Sequence, residues 1–192
     1  MSVVEKVEYS LYGSFNGADP PKLLWTTLDL YCNNSKQFKA YRVEFANSLS
    51  LDNEFNSNDW QLLYLSPPEQ VDGLTRRKRI NSIVKGDICE IAHFFLPSIG
   101  SAVRNHRLHI GHVYYYKDTT IKIYNIVEPK DKFYYGEEFY QLYLDVLVEI
   151  IGEKDQVLYI QRLLKGMVDL HFVHDVKLRE IPDEAEEEEM ET

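Results

Sequence analysis

The sequence predicts a mainly β chain of the α+β type: an antiparallel multistranded β-barrel with two to three flanking helices. Three observations predict it. His106 to Val127, HRLHIGHVYYYKDTTIKIYNIV, alternates as a hairpin does. Several other stretches keep the same two-residue period. Helical spacing is confined to one segment near the start, one mid-chain and one near the end. Hairpin-linked strands in this proportion point to a barrel, or a strongly curved sheet with helices at its ends.

The hairpin is the clearest element. On its first arm His106, Leu108, Ile110, His112, Tyr114 and Tyr116 share one face, and Arg107, His109, Gly111, Val113 and Tyr115 share the other. Strand side chains change face at every residue, so this pattern fits a strand and not a helix. The second arm alternates Ile121, Ile123, Asn125 and Val127 against Lys122, Tyr124 and Ile126, with Lys117-Asp118 as the tip. Both faces carry bulky side chains, as in a barrel or a sheet covered by helices.

In chain order, Val3 to Tyr12 reads as a strand and Gly13 to Gly17 as a turn. Asp19-Pro20 opens a helix, since Asp accepts from orphan N–H groups and Pro wastes no donor at the first position. Leu24, Leu28 and Tyr31 recur at helical spacing, and the helix ends near Asn33-Asn34. Lys36 to Ala46 is a strand whose apolar face is Lys39, Tyr41, Val43 and Phe45. Asn47 to Asp59 reads as a loop. Trp60 to Leu65 is a short strand stopped by Pro67-Pro68. Glu69 to Thr75 is a second loop, and the basic cluster Arg76 to Arg79 enters the next strand. Asp87 to Gly100 reads as a short helix that Pro97 ends or kinks. Past the hairpin, Pro129 to Glu138 is a loop and Phe139 to Ile151 the longest strand, with Tyr140, Leu142, Leu144, Val146, Val148 and Ile150 on one face. Glu153 to Gly166 is an amphipathic helix with a Val157, Ile160, Leu164 stripe. Leu170 to Val176 is a final short strand.

Length and charge bound the organisation. The 192 residues suit one well-cored domain, 1–182, followed by a tail. That tail, 183–192, carries seven of the ten excess negative charges and leaves the body near -3. Like charges this dense repel and have nothing apolar to bury, so the expectation is a disordered acidic tail. Non-specific DNA binding, which depends on neutralising phosphates, is not expected. No run approaches the roughly 18 apolar residues that span a bilayer, and the charged N-terminus is no secretory signal. Cys32 and Cys89 fit reduced thiols in a cytosolic or nuclear protein. Arg76-Arg77-Lys78-Arg79 matches a nuclear-import patch only weakly.

No catalytic motif stands out: there is no G-x-S-x-G, P-loop, dinucleotide glycine pattern, C-x-x-C or H-E-x-x-H. His106-x-x-His109-x-x-His112 would gather a metal on a helix. On a strand His109 points away, and His106 lies about 20 Å from His112. That span is too long for shared zinc bonds of about 2 Å. No metal and no cofactor are expected. The tyrosines around the hairpin and the following strand are either barrel core or an aromatic groove for a partner helix. Tyr114, Tyr116 and Tyr143 are the candidate anchors of such a groove, because rigid aromatics bury area at little entropic cost.

EYSLYGSFNG, WQLLYLSPPE, HRLHIGHVYYYKDTTIKIYNI and FYQLYLDVLVEII with its following helix together resemble subunit 18 of the Mediator head module, the coactivator of RNA polymerase II. The similarity is one of order and spacing over residues 3 to 176. It implies a β-barrel with flanking helices in the nucleus, without catalysis. It also implies a heterodimer with Mediator subunit 20 and capture of a C-terminal helix of Mediator subunit 8.

That fold is related to triphosphate-tunnel enzymes, which supplies an alternative of another class. A tunnel needs carboxylates and cations pointing inward, usually from an E-x-E-x-K strand. The early strand reads Glu5-Lys6-Val7-Glu8, which has the wrong spacing, and Arg42 with Glu44 shares a face without companions. The apolar face of Tyr140 to Ile150 leads to the expectation of a filled apolar interior. A third reading, a barrel carrying small apolar ligands, would need an empty apolar cavity.

Overall fold

The computed structural model describes residues 3–15, 19–45, 48–54, 60–85, 98, 100, 103–129, 139–140 and 145–172. The strands are β1 (Val3–Phe15), β2 (Asn34–Phe45), β3 (Leu49–Glu54), β4 (Trp60–Leu65), β5 (Glu69–Val71), β6 (Leu74–Val84), β7 (Val103–Tyr116), β8 (Thr119–Pro129), β9 (Phe139–Tyr140) and β10 (Val146–Gly152). The helices are α1 (Lys22–Tyr31) and α2 (Lys154–Leu163).

Eight strands close an antiparallel barrel in the order β1-β10-β8-β7-β2-β3-β4-β6. β1 closes it by pairing with two strands along one 13-residue length. Its N-terminal half runs against β6 (Val3↔Ser82 to Ser10↔Thr75) and its C-terminal half against β10 (Tyr9↔Gly152 to Phe15↔Val146). A closed barrel leaves no long edge unpaired. β5 and β9 add short pairings outside the ring.

The main hydrophobic core lies outside the barrel wall, beneath the two helices. Leu11, Ile121, Ile123, Val148 and Ile150 face outward from β1, β8 and β10. They meet Leu24 and Leu28 of α1 and Val157 and Ile160 of α2. These side chains are 0–2% exposed. Each contributes about 1.5–3 kcal/mol by leaving water. A second apolar group, Val43, Phe45, Leu51 and Trp60, packs on the outer face of β2, β3 and β4. Gly13 stands where β1 passes under the chain after α2. A Cβ there would meet Asp169 O at 2.6 Å and Val168 Cγ2 at 2.8 Å. The close contact is held by a reciprocal backbone pair between Tyr12 and His171, at 3.1 and 2.9 Å.

Several expectations are corrected here. Gly13 is no turn, because β1 continues through it to Phe15. Asp19 does not cap α1. Pro21 occupies the capping position with no side-chain bond, and the first helical amide bond runs from Leu24 N–H to Pro21 O at 2.9 Å. Pro21 has no N–H, which leaves one fewer donor in need of a partner at the helix start. The 47–59 loop contains β3. Its Ser50 and Asp52 looked like loop residues because they face a polar interior, while Leu49 and Leu51 face out. The 69–75 loop is a hairpin instead. Val71 pairs Leu74 across Asp72-Gly73, whose φ values of +52° and +79° make the two-residue turn that suits strand twist. Arg76 to Arg79 lie within β6, with alternate side chains on opposite faces.

The expected strand 139–151 is described as β9 and β10, and the expected final strand as the single His171 bridge. The mid-chain helix apart from Ser98 and Gly100, the loop after Pro129, Cys89, the end of the final strand and the acidic tail lie outside the described residues.

Candidate functional site in the barrel lumen

With the apolar faces turned outward, the opposite faces line the lumen, and they are charged. From β1 come Lys6, Glu8, Ser10 and Tyr12; from β6, Arg77 and Arg79, which stand opposite Glu8 and Lys6. β2 supplies Arg42 and Glu44, β3 supplies Asp52, β7 supplies Arg107 and His109, β8 supplies Lys122 and Tyr124, and β10 supplies Glu149. The expected apolar interior is therefore wrong: Val146, Val148 and Ile150 serve the helices, and Leu147 and Glu149 face in. Leu147, Ile126, Tyr124 and Phe38 form only a small apolar group in the lumen.

The lumen carboxylates are answered by cations of the same chain. Arg42 holds Asp52 through two bonds, Nε to Oδ1 at 3.0 Å and Nη2 to Oδ2 at 2.6 Å. Arg107 lies 3.5 Å from Glu44, Arg79 3.5 Å from Glu8 and Lys122 3.8 Å from Glu149. Tyr12 donates to Glu149 at 2.5 Å. Burial works against the Arg42 charge, but Asp52 more than offsets it and the guanidinium stays protonated more firmly than usual. Burial raises the Glu8 carboxyl above its usual range, partly countered by Arg79. Burial also raises the Tyr12 and Tyr124 phenols, with Glu149 adding to the effect. His109, 6% exposed, stacks on Tyr124 at 4.8 Å. Burial first, then Arg42, Lys122 and Arg107, keep its imidazole neutral well below the usual pH.

The histidine triplet is split by the strand as expected. His109 is in the lumen, while His112 lies on the outer face with its ring 5.2 Å from Trp25 of α1. Among the described residues no three His, Cys, Asp or Glu side chains gather as a metal site.

Tyr114 and Tyr116 stand apart from the lumen. Tyr114 is buried beneath α1 and donates to Asp29 at 3.2 Å; burial and Asp29 push its phenol up to about 12. Tyr116, half-buried, stacks on Tyr159 of α2 at 5.2 Å, with Lys117 above its ring. Tyr143 lies outside the described residues. Tyr159 is 37% exposed, and Leu30 and Tyr31 at the end of α1 are 75% and 44% exposed. The hairpin tip is fixed to α2 by Gln156, whose side-chain oxygen accepts from Asp118 N–H at 3.2 Å and from the Thr119 hydroxyl at 2.9 Å.

Sequence reasoning missed the lumen set, Glu8, Tyr12, Arg79, Lys122 and Glu149 among them. Their signal was present as alternation with charges on the face opposite each apolar one. Which face pointed inward was not.

No family model matches the chain, and no curated protein matches it in sequence. Solved structures do share its fold. A chain of the Schizosaccharomyces pombe Mediator head module superposes with a TM-score of 0.73 at 14% identity, covering 88% of this chain and 99% of that one. A Pyrococcus horikoshii protein gives 0.57 at 14% identity, covering 85% and 93%. A putative adenylyl cyclase from Hippeastrum, described as having a dominant triphosphatase activity, gives 0.51 at 12% identity, covering 91% and 93%.

Proposed function

We propose that this chain is a non-catalytic barrel subunit of a Mediator-type coactivator, working in the nucleus in a head module that regulates RNA polymerase II. The observation that carries the reading is the likeness to the Schizosaccharomyces pombe head-module chain, which spans 99% of that chain and exceeds the other two described above in TM-score. The lumen supports it. Its carboxylates are held by Arg42, Arg79, Arg107, Lys122 and Tyr12 of the same chain, an arrangement that braces a wall. The partners are those the resemblance implies, Mediator subunit 20 and a helix from subunit 8. Since Tyr114 is spent on packing α1, the aromatic anchors for that helix are Tyr116 and Tyr143. Affinity purification of the tagged chain from nuclear extract tests the reading. Recovery of head-module subunits is expected, and recovery of the chain alone would sink it.

A second reading is favoured by one observation, the polar lumen itself, which a tunnel-type phosphohydrolase requires. Against it stands the β1 register: the inward positions are Lys6, Glu8 and Ser10, not two carboxylates followed by a lysine. Hydrolysis of a triphosphate with manganese or magnesium that disappears in Glu44→Ala would establish this second reading in place of the first. An apolar ligand has little to bind in a lumen lined by ion pairs.

A further inference from the structure

Ser66-Pro67 is the single Ser-Pro or Thr-Pro step in the 192 residues, and Pro68 follows it. The step stands where the ladder between β4 and β6 stops. Leu65 pairs Arg79, and Ser66 continues opposite Lys78. The Ser66 N–H donates to Lys78 O at 2.9 Å, and the Ser66 hydroxyl oxygen accepts from Lys78 N–H at 2.9 Å. Beyond it Pro67 and Pro68 have no N–H to give to β6. A proline also holds the residue before it extended. Residues 66–68 therefore form a short extended segment, half-buried to exposed, held to β6 through the two Ser66–Lys78 bonds.

The strand facing Ser66 presents cations. Lys78 and Arg76 lie on the outward face of β6, since Arg77 and Arg79 turn into the lumen. Lys78 is directly across from Ser66. Arg76 is the diagonal neighbour, about 7–8 Å away by strand spacing and within reach of a long side chain. Each cation is paired with an exposed carboxylate, Lys78 with Glu5 at 2.8 Å and Arg76 with Glu69 at 2.6 Å. Exposed pairs of this kind contribute little to stability and exchange readily. We infer that Ser66 is a phosphorylation site for a proline-directed protein kinase, and that Lys78 and Arg76 receive its phosphate. Kinases of this class take an extended segment with proline after the acceptor hydroxyl. The γ-phosphoryl group of ATP passes to Ser66 Oγ. The Oγ–P bond forms, the bond from Pγ to the bridging oxygen breaks, ADP leaves, and the hydroxyl proton goes to the kinase. The phosphate brings a charge of about −1.5 to −2 and three acceptor oxygens. A dianion attracts Lys78 and Arg76 more strongly than the single charges of Glu5 and Glu69 do. The outer face of β4 and β6, where Tyr64 and the adjoining Val7 of β1 are exposed, then turns from balanced to negative. The inference goes beyond the coactivator reading and does not rest on it, since the site needs neither a partner subunit nor catalysis by this chain.

Incubation of the full chain with a mitogen-activated protein kinase and ATP, followed by peptide mapping, tests the site. One phosphoryl group on Ser66 is expected. It should be absent from Ser66→Ala and largely lost in Pro67→Ala, which keeps the hydroxyl. Phosphorus NMR of the modified chain then reads the receiving pair. Phosphoserine ordinarily takes its second proton at about pH 6. Here the phosphate should titrate clearly lower, because adjacent cations favour the dianion. Lys78→Gln, at an exposed position, should return it toward the ordinary value. An unmodified Ser66 in the folded chain would overturn the site, and modification of the isolated 60–71 peptide alone would place the cause in the fold. A phosphate that titrates at the ordinary value in the parent, or one that Lys78→Gln does not move, would overturn the receiving role of the two cations.

Discussion

Replacing Arg42 by methionine puts the lumen ion pairs to a quantitative test. Arg42 binds Asp52 through two short bonds between β2 and β3. Arg42→Met keeps the length of the side chain and removes its charge, leaving Asp52 facing the lumen without its cation. Breaking a fully buried pair in this way costs about 3–5 kcal/mol, because the remaining charge is uncompensated. Here the two side chains keep 24% and 20% of their exposure, so water takes up part of that cost. The Arg42–Arg107 opposition is also relieved, which subtracts further. We therefore expect a loss of about 2–3 kcal/mol, or roughly 5–10 °C in Tm for a domain of this size. The paired replacement Arg42→Met with Asp52→Leu removes both charges, and a hydrophobic pair in place of a buried ion pair is often neutral or better. Urea denaturation of the parent, both single variants and the double variant gives the cycle. A single variant as stable as the parent would show that the pair does no structural work. A double variant as unstable as Arg42→Met would show that packing, not the orphaned carboxylate, sets the loss.

Four further outcomes follow from particular contacts. His109 is held neutral in the fold but titrates near 6.5 when unfolded, so only the unfolded chain gains its proton as pH falls. Stability should accordingly be lost as pH falls through about 6.5, and His109→Phe should flatten this slope. Gly111→Ala would place a Cβ 2.0 Å from Ile123 O and 2.6 Å from Tyr124 Cα, both backbone atoms, forcing β7 from β8. Its cost should reach at least the 1–3 kcal/mol typical of overpacking, measured by urea midpoint. Tyr114→Ala should lose about 3–5 kcal/mol as a core truncation, whereas Tyr143→Ala should keep Tm and weaken helix capture by about 2 kcal/mol or more. A chain stopped after Pro182 should melt within about two degrees of the full chain, because a like-charged run buries no apolar surface.

Much of the wall could be read from the residues alone. The β7–β8 hairpin, its Lys117-Asp118 tip, β2, β4, the start of β1 and the two terminal helices all follow from local period. Bulky side chains on both faces of the hairpin already implied neighbours on both sides. The misses over β3 and β6 share one cause. Ser50 and Asp52 of β3, and Arg77 and Arg79 of β6, look like loop or surface residues to any rule that equates polar with outside. In this fold polar is inside, because Arg42 reaches Asp52 and Arg79 reaches Glu8 across neighbouring strands.

The alternation thus determined which residues share a face, since a strand's side chains must alternate whatever surrounds it. It could not determine which face is the lumen. That was decided when β1 paired with both β6 and β10 and closed the ring. Once it closed, α1 and α2 could bury the apolar faces only from outside. The charged faces were left to pair with one another within, across separations of 10 to 137 residues that no local pattern records.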